Sequence, residues 1–248
     1  MEINFKHDKL ELNLSLKETR GERLISLGAL TALTGYLLSG PIGFLLIAIT
    51  VPQPPWVSPS IFAAHYHWVQ DLPFYYGFIL VGGMLMFAAG HYLNYTGTNK
   101  QIQFHLLLSV AWTIVFAALI TFNYICQTTF VHNLAVHYKP EYDPSIAAFS
   151  MANPMSLSWA IEMWGYAFLG IATALMSGYY NDKNTLIKIL LILNLIVSLF
   201  SAAAIIVDVN WMMTTGGFIS YFFWNVLMII LMTLIYFDSR KNLYNGKY

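Results

Sequence analysis

The chain has 248 residues, no net charge at pH 7, 58% apolar residues and only 10% charged residues. Because soluble domains carry roughly 25% charged residues, this composition indicates an integral membrane protein and argues against a soluble enzyme. The one cysteine, Cys126, excludes an intrachain disulfide and any cysteine-built metal or iron–sulfur centre within a single chain. The basic residues form no extended groove, so nucleic acid is not an expected partner.

Six apolar stretches predict six transmembrane helices in an all-α bundle. Each stretch is close to the ~20 residues that cross the hydrocarbon core of a bilayer as a helix. The first is long and carries Gly40-Pro41, which predicts a kink or a tilt. The predicted spans are residues 24–50, 73–93, 104–126, 157–179, 186–207 and 215–236.

The positions of the basic residues predict the orientation of these helices. Basic loops stay on the cytoplasmic side of a membrane. Only Lys139 lies in the three connections predicted to be external, which are residues 51–72, 127–156 and 208–214. Both termini are therefore predicted to be cytoplasmic, in a plasma membrane with the lipid bilayer as partner. The inner basic residues are Lys6, Lys9, Lys17, Arg20, Arg23, Lys100, Lys183, Lys188, Arg240, Lys241 and Lys247.

The predicted division of the chain has three parts. Residues 1–23 are expected to form a cytoplasmic arm, residues 24–238 the six-helix domain and residues 239–248 a cytoplasmic tail. The arm mixes five bases with five acids, which favours a solvated segment over one bound to anionic headgroups. The first apolar stretch is too long for the core of a cleaved signal peptide, so it is expected to be an anchor.

The first external connection contains a predicted helix. Ser58 and Pro59 are typical of a helix start, and a helix from there to about Gln70 has one apolar face. Such a helix is expected to lie on the membrane surface or to cover the bundle as a lid. His65 and His67 point in different directions on this helix, so a shared metal requires an extended segment instead.

The two long external connections together carry a candidate divalent-metal set. Imidazole and carboxylate groups serve metal ligation, cation binding and proton transfer. None of the spacings matches a zinc signature, and polar residues in solvated loops are the ordinary alternative. The candidate ligands are His65, His67, Asp71, His132 and His137.

A haem group is not expected. His91 and His105 flank a short inner turn at similar depth, and two histidines can hold a haem iron. However, adjacent helices of a tight hairpin leave little room for a porphyrin. Interfacial histidines beside aromatic residues are the simpler interpretation.

Glu162 is the strongest candidate for a functional residue. It lies about one and a half turns into the fourth predicted span, where an ionisable group costs several kcal/mol and normally faces the bundle interior. On a helix it shares a face with Gly165 and Tyr166. The alternative is an interfacial glutamate that extends to the outer headgroups.

Two amides lie midway through the fifth and sixth predicted spans. Asn194 and Asn225 are expected to face protein, because an unpaired amide in lipid is costly. Hydrogen bonding between helices is the favoured interpretation, and lining of a polar cavity with Glu162 is the functional one. Trp159 is a candidate wall of an apolar ligand pocket, with core packing as the commoner explanation.

Three functional interpretations follow. The first is binding or passage of a small molecule or cation through an outward-facing pocket formed by Glu162, Tyr166, Asn194, Asn225 and Trp159. The second is a membrane-embedded enzyme that uses the outer histidines and carboxylates, as metal ligands or as acid–base groups, on a lipid-like substrate. The third is a non-catalytic subunit or assembly partner. The ionisable group at Glu162 favours the first.

Overall fold

The computed structural model describes residues 2–181 and 184–245, with side chains in 20–181, 184–211 and 213–244. The described chain is all-helical and contains no strand. The α-helices are supplemented by one π-helix, at Cys126–Val131, and by short 3₁₀ helices at Trp68–Asp71, Pro140–Tyr142, Ser177–Tyr180 and Trp211–Met213. The α-helices are α1 (Glu2–Ser39), α2 (Pro41–Thr50), α3 (Pro59–Ala64), α4 (Leu72–Asn94), α5 (Lys100–Ile125), α6 (His132–Val136), α7 (Asp143–Phe149), α8 (Leu157–Leu175), α9 (Thr185–Val207) and α10 (Thr215–Asn245).

Six helical segments are long and apolar enough to cross a membrane. The prediction of an all-helical fold with six such helices is confirmed, and these helices suggest a multi-pass membrane protein. Their orientation stays a prediction, and Lys183 and Lys247 lie outside the described residues. The six segments are Arg20–Thr50, Trp68–Asn94, Lys100–Val136, Leu157–Tyr180, Thr185–Val207 and Thr215–Tyr244.

The six long helices form a closed ring. Each packs against the next along the chain, and α10 at the end of the chain packs against α1 at its start. We call one end of the ring the loop end, because residues 51–71 and 126–156 lie there. We call the opposite end, where α4 ends and α5 begins, the terminal end.

The surface of the ring is apolar. Large side chains such as Ile49, Ile196, Val207 and Phe223 are more than half exposed along the long helices. A soluble monomer rarely exposes so extensive an apolar surface. The exposed surface therefore agrees with a lipid environment around the ring.

The first two long helices, α1 and α4, pack so closely that the backbone of one contacts the backbone of the other. A Cβ atom on Gly28 would lie 2.5 Å from the backbone nitrogen of Phe87, and one on Gly35 would overlap the backbone nitrogen of Leu80. These glycines and their partners each recur at a spacing of seven residues, which is the repeat of a left-handed helix pair. Small residues allow such close packing where no hydrophobic effect drives helices together.

The N-terminal part of the chain continues into the first long helix. Residues 2–23 belong to α1, which runs without a break to Ser39. The predicted interruption at Gly40-Pro41 is present, because α1 ends before Gly40 and α2 begins at Pro41. Pro41 has no N–H for the carbonyl four residues earlier, which explains the break.

The helix predicted from Ser58 to about Gln70 is shorter in the structure. Ser58 caps α3 as expected, but α3 ends at Ala64. The side-chain amide of Gln70 donates to the carbonyls of Val51 and His65 and folds the segment back. A separate 3₁₀ helix then starts after His67, whose ring caps it.

The two long connections pack together at the loop end. Phe62 of α3 meets Val131, Ala135 and Ile146 in a small apolar core that is separate from the core of the ring. This cap joins the first connection to the second. It therefore positions the segment that covers the interior of the ring.

Candidate functional site

Glu162 lies inside the ring. Its residue surface is only 8% exposed. Its Oε2 accepts a hydrogen bond from Asn123 Nδ2 at 2.8 Å, and its Oε1 accepts one from the Tyr124 hydroxyl at 2.9 Å. Both donors are on α5, so the carboxylate faces the neighbouring helix instead of extending to the headgroups.

A second tyrosine extends this network. The hydroxyls of Tyr124 and Tyr166 lie 3.2 Å apart. While Glu162 is ionised, the Tyr124 hydroxyl donates to it, so the Tyr166 hydroxyl is the donor to Tyr124. The chain of hydrogen bonds therefore runs from Tyr166 through Tyr124 to Glu162.

The partners of Glu162 are neutral. Asn123 and Tyr124 carry no charge, and no described Lys or Arg forms an ion pair with Glu162. Lys139, at the loop end, is 59% exposed and lies 3.8 Å from Glu141. A buried charge is normally paired with an opposite charge. Glu162 is unusual in this respect, because no described basic side chain compensates its negative charge.

The second connection covers Glu162 from the loop end. Gln127, in the π-helix, donates to Phe149 O at 2.7 Å and accepts from the backbone nitrogen of Met151 at 3.0 Å. It also donates to Ser158 Oγ at 3.2 Å. Since Asn123 Nδ2 contacts Met151 Sδ at 3.4 Å, this segment touches the same amide that binds Glu162. π-helices often occur at functional sites.

Asn194 joins three of the long helices. Its Nδ2 donates to Thr173 Oγ1 at 2.9 Å, and its Oδ1 accepts from Trp224 Nε1 at 2.9 Å. These bonds link α9 to α8 and α10. They agree with the interpretation that Asn194 fastens helices, and they also fix the Trp224 ring.

Trp224 lies between two tyrosine rings. Its centroid is 5.4 Å from that of Tyr36 and 5.1 Å from that of Tyr166, both in edge-to-face geometry. Such pairs stabilise aromatic clusters beyond the burial of area. The cluster connects the Glu162 network to the first long helix.

Two polar atoms in this region are buried without a partner among the described side chains. The first is the hydroxyl of Tyr36 and the second is Asn225 Oδ1. The amide of Asn225 donates to Tyr221 O at 2.6 Å, which fixes which of its atoms is the oxygen. A Cβ atom on Gly40 would lie 3.7 Å from Asn225 Oδ1 and 3.6 Å from the Tyr221 hydroxyl, so these groups border the helix break.

Trp159 is not connected to Glu162 by any hydrogen bond between described residues. Its backbone nitrogen donates to Ser156 Oγ at 3.1 Å, which caps α8. Its indole nitrogen is buried without a described partner. A role of Trp159 in ligand binding stays a prediction.

At the loop end, Asp71 and His132 form a pair with Tyr66. His132 Nδ1 lies 2.8 Å from Asp71 Oδ2 and 2.7 Å from the Tyr66 hydroxyl, which itself donates to Asp71. Burial, followed by the hydrogen bond to Asp71, raises the pKa of Tyr66 above its usual range. These contacts hold the first connection against the start of α6.

The structure does not bring the five predicted metal ligands together. His65 Nδ1 contacts Ile61 O at 2.9 Å, His67 Nδ1 accepts from the backbone of Val69, and His137 is exposed. Only Asp71 and His132 meet. Among the described residues, no group of three or more His, Cys, Asp or Glu side chains could hold a metal ion. The cause is the fold of the first connection, which directs its two histidines to their own helices.

The terminal end holds a different polar network. His91 Nδ1 donates to Phe87 O at 2.8 Å, so its Nε2, 2.7 Å from the Tyr180 hydroxyl, accepts from Tyr180. Asn94 donates to Glu22 Oε1 at 2.8 Å. His91 therefore bonds across the ring to Tyr180, a partner that sequence spacing did not reveal.

Comparisons with known proteins give no further assignment. No family model, curated protein or solved structure matches this chain. The function must therefore be argued from the contacts of the polar groups inside the ring.

Proposed function

We propose that this chain is a multi-pass membrane protein that binds a small cation, protons included, at Glu162 inside the ring. The observation that carries the proposal is the pairing of Glu162. Its two oxygens meet the neutral donors Asn123 and Tyr124, and no described basic side chain compensates its charge.

The energetics support a cation at this position. A carboxylate in the apolar zone costs several kcal/mol, and two neutral hydrogen bonds recover only part of the hydration it has lost. A bound proton or metal cation removes the net charge and the remaining cost. We therefore expect the stability of the folded protein to depend on whether a cation is bound at Glu162.

The loop end supports access to the site. Glu162 is five residues from the start of α8 at Leu157, or about 8 Å along the helix axis. The segment held by Gln127 covers this route. We infer that the cation enters from this end when the segment moves.

Cation binding has more support than the other two interpretations. A metal-dependent enzyme needs a third ligand beside Asp71 and His132, and the described residues do not supply one. A purely structural subunit does not need a carboxylate in the interior of the ring. The preferred ligand is therefore a cation at Glu162.

Thermal unfolding of the purified protein tests the proposal. Unfolding temperatures are measured against pH and against Na⁺, K⁺, Mg²⁺ and ammonium at constant ionic strength. A ligand that binds only the folded state at 100 times its Kd adds about 2.7 kcal/mol of stability. We expect one of these cations to raise the unfolding temperature of the wild type and to have little effect on Glu162→Gln.

The control is Glu141→Gln, which removes an exposed carboxylate at the loop end. It should keep the cation response of the wild type. An equal cation response in Glu162→Gln and in the wild type would refute binding at Glu162.

A further inference from the structure

A short part of the second connection lies over Glu162. Residues 149–156, which we call the gate, run from the end of α7 to the start of α8. Among the described residues, only Gln127 and Asn123 form hydrogen bonds between the gate and another long helix. The other hydrogen bonds of the gate reach α7 before it and α8 after it. Phe149 and Ala152 also pack on the small apolar core of the cap.

Gln127 is the stronger of the two polar ties. Its Nε2 donates to the carbonyl of Phe149 at 2.7 Å, and its Oε1 accepts from the backbone nitrogen of Met151 at 3.0 Å. Nε2 also donates to Ser158 Oγ at 3.2 Å. Because Ser158 lies four residues before Glu162, on the same face of α8, Gln127 holds the gate on the loop-end side of Glu162.

Asn123 connects the gate to the carboxylate. Its Nδ2 donates to Glu162 Oε2 at 2.8 Å and to Met151 Sδ at 3.4 Å. A single amide nitrogen therefore contacts both the gate and the candidate cation site. A change in the charge or the hydration of Glu162 acts on a group that also touches the gate.

The interface beneath the gate is buried but polar. Water can replace the hydrogen bonds of polar groups that separate, whereas the cost of separating apolar surfaces grows with the area exposed. A polar cover therefore opens more readily than an apolar cover of the same size. The polar residues of the gate and of its contact surface, each at most 8% exposed, are Asn123, Gln127, Ser150, Asn153, Ser156 and Ser158.

We propose that residues 149–156 close over Glu162 when a cation is bound and open when the carboxylate is empty and charged, with Gln127 as the latch. This inference rests on the proposed function and states how that site is regulated. The closed gate keeps water from the carboxylate, and a charged carboxylate loses much more hydration free energy than a neutralised one. Opening therefore relieves the empty site, whereas a bound cation removes the reason to open.

The coupling between the gate and the site follows from this difference. A ligand shifts a conformational equilibrium only by its different affinities for the two states. The open state gives the empty carboxylate water, whereas the closed state gives it only Asn123 and Tyr124. A cation that closes the gate also binds more tightly to the closed form, by the same factor. Release of the cation therefore requires the latch to open.

Access to Glu162 can be measured with a cysteine at position 158. Ser158 is 1% exposed beneath the gate. Cys126→Ser removes the one native thiol of the chain, and Ser158→Cys in that background supplies the reporter. This parent protein is purified in detergent. The rate at which a hydrophilic maleimide modifies the reporter is measured at constant pH and ionic strength.

The latch and the charge should change this rate in opposite directions. Gln127→Met should raise it roughly tenfold or more, because the gate loses both of its bonds to this amide. Glu162→Gln, which is neutral like the occupied site, should lower it severalfold. Any of Na⁺, K⁺, Mg²⁺ and ammonium that raises the unfolding temperature of the parent should also lower its rate, and should have little effect in Glu162→Gln.

The matched control for the latch is Asn133→Met. Asn133 is an exposed amide of the same connection, and its Nδ2 donates to Thr129 O, one turn away on its own helix. This variant should keep the parent rate. If Gln127→Met does not fold, Glu162→Gln still decides the proposal, because it leaves the latch intact.

The outcomes separate the gate from the proposed function. Equal rates in Gln127→Met and Asn133→Met would overturn the latch. A rate in Glu162→Gln that equals or exceeds that of the parent would overturn the control of the gate by charge. Either result leaves cation binding at Glu162 intact, since that proposal fails only if Glu162→Gln keeps the cation response in thermal unfolding.

Discussion

The two ends of the ring use buried polar residues in different ways. At the terminal end, the hydrogen bonds of His91 and Asn94 reach direct partners on neighbouring segments. Nearer the loop end, Glu162 has neutral donors only, and Tyr36 and Asn225, in the middle of the ring, each keep a buried polar atom without a described partner, as Asn94 Oδ1 does at the terminal end. The terminal end therefore joins neighbouring segments through direct hydrogen bonds, whereas the interior near the loop end holds a carboxylate whose charge no described basic group compensates.

The close contact of the first two long helices gives the largest expected effect. A Cβ atom on Gly83 would overlap the backbone of Ala32, whereas one on Gly82 would meet no atom within 4 Å. Gly83→Ala should therefore lower the free energy of unfolding by about 1–3 kcal/mol through overpacking. Gly82→Ala is the control. Equal free energies of unfolding of the two variants in chemical denaturation would show that α1 and α4 can move apart at Gly83 without loss of stability.

The next prediction contrasts a paired tyrosine with an unpaired one. Tyr180→Phe removes the hydroxyl that donates to Nε2 of buried His91, which should cost about 1–3 kcal/mol of stability. The same change at Tyr36 should cost nothing. Thermal unfolding of both variants checks this, and similar losses would remove the distinction between the two ends.

The smallest effect is expected in the cap at the loop end. Tyr66→Phe removes the hydrogen bond to Asp71 and the contact with His132 but keeps the contact between Asp71 and His132. The expected loss of stability is about 1 kcal/mol. Tyr142→Phe, which changes another tyrosine packed on the same small apolar core, is the control. An equal loss at Tyr66 and at Tyr142 would show that the pair does not tie the two connections together.

The sequence predicted the helices better than the contacts between them. Apolar length and the Gly40-Pro41 pair identified six helices and the break in the first, because both are local properties. The heptad spacing of Gly28 and Gly35 is a local sequence sign of the close contact between α1 and α4. The π-helix at Cys126–Val131 has no comparable local pattern.

The candidate site was predictable only in part. The cost of an ionisable group in a membrane singled out Glu162. Its donors Asn123 and Tyr124 are nearly forty residues earlier in the chain, and no spacing rule relates them to it. The predicted metal ligands come from two connections far apart in the chain, and the fold brings only Asp71 and His132 together because His65 and His67 bond to their own segment.

The closure of the ring by α10 against α1 has a consequence for biogenesis. Of these six helices, the one made last has to settle beside the one made first, so Glu162 and its partners are enclosed only after α10 has been synthesised. Until then the polar interior is open to lipid on one side. A ribosome-stalled chain that lacks α10 should therefore be a preferred target of membrane quality control, even though five of its six long helices are complete.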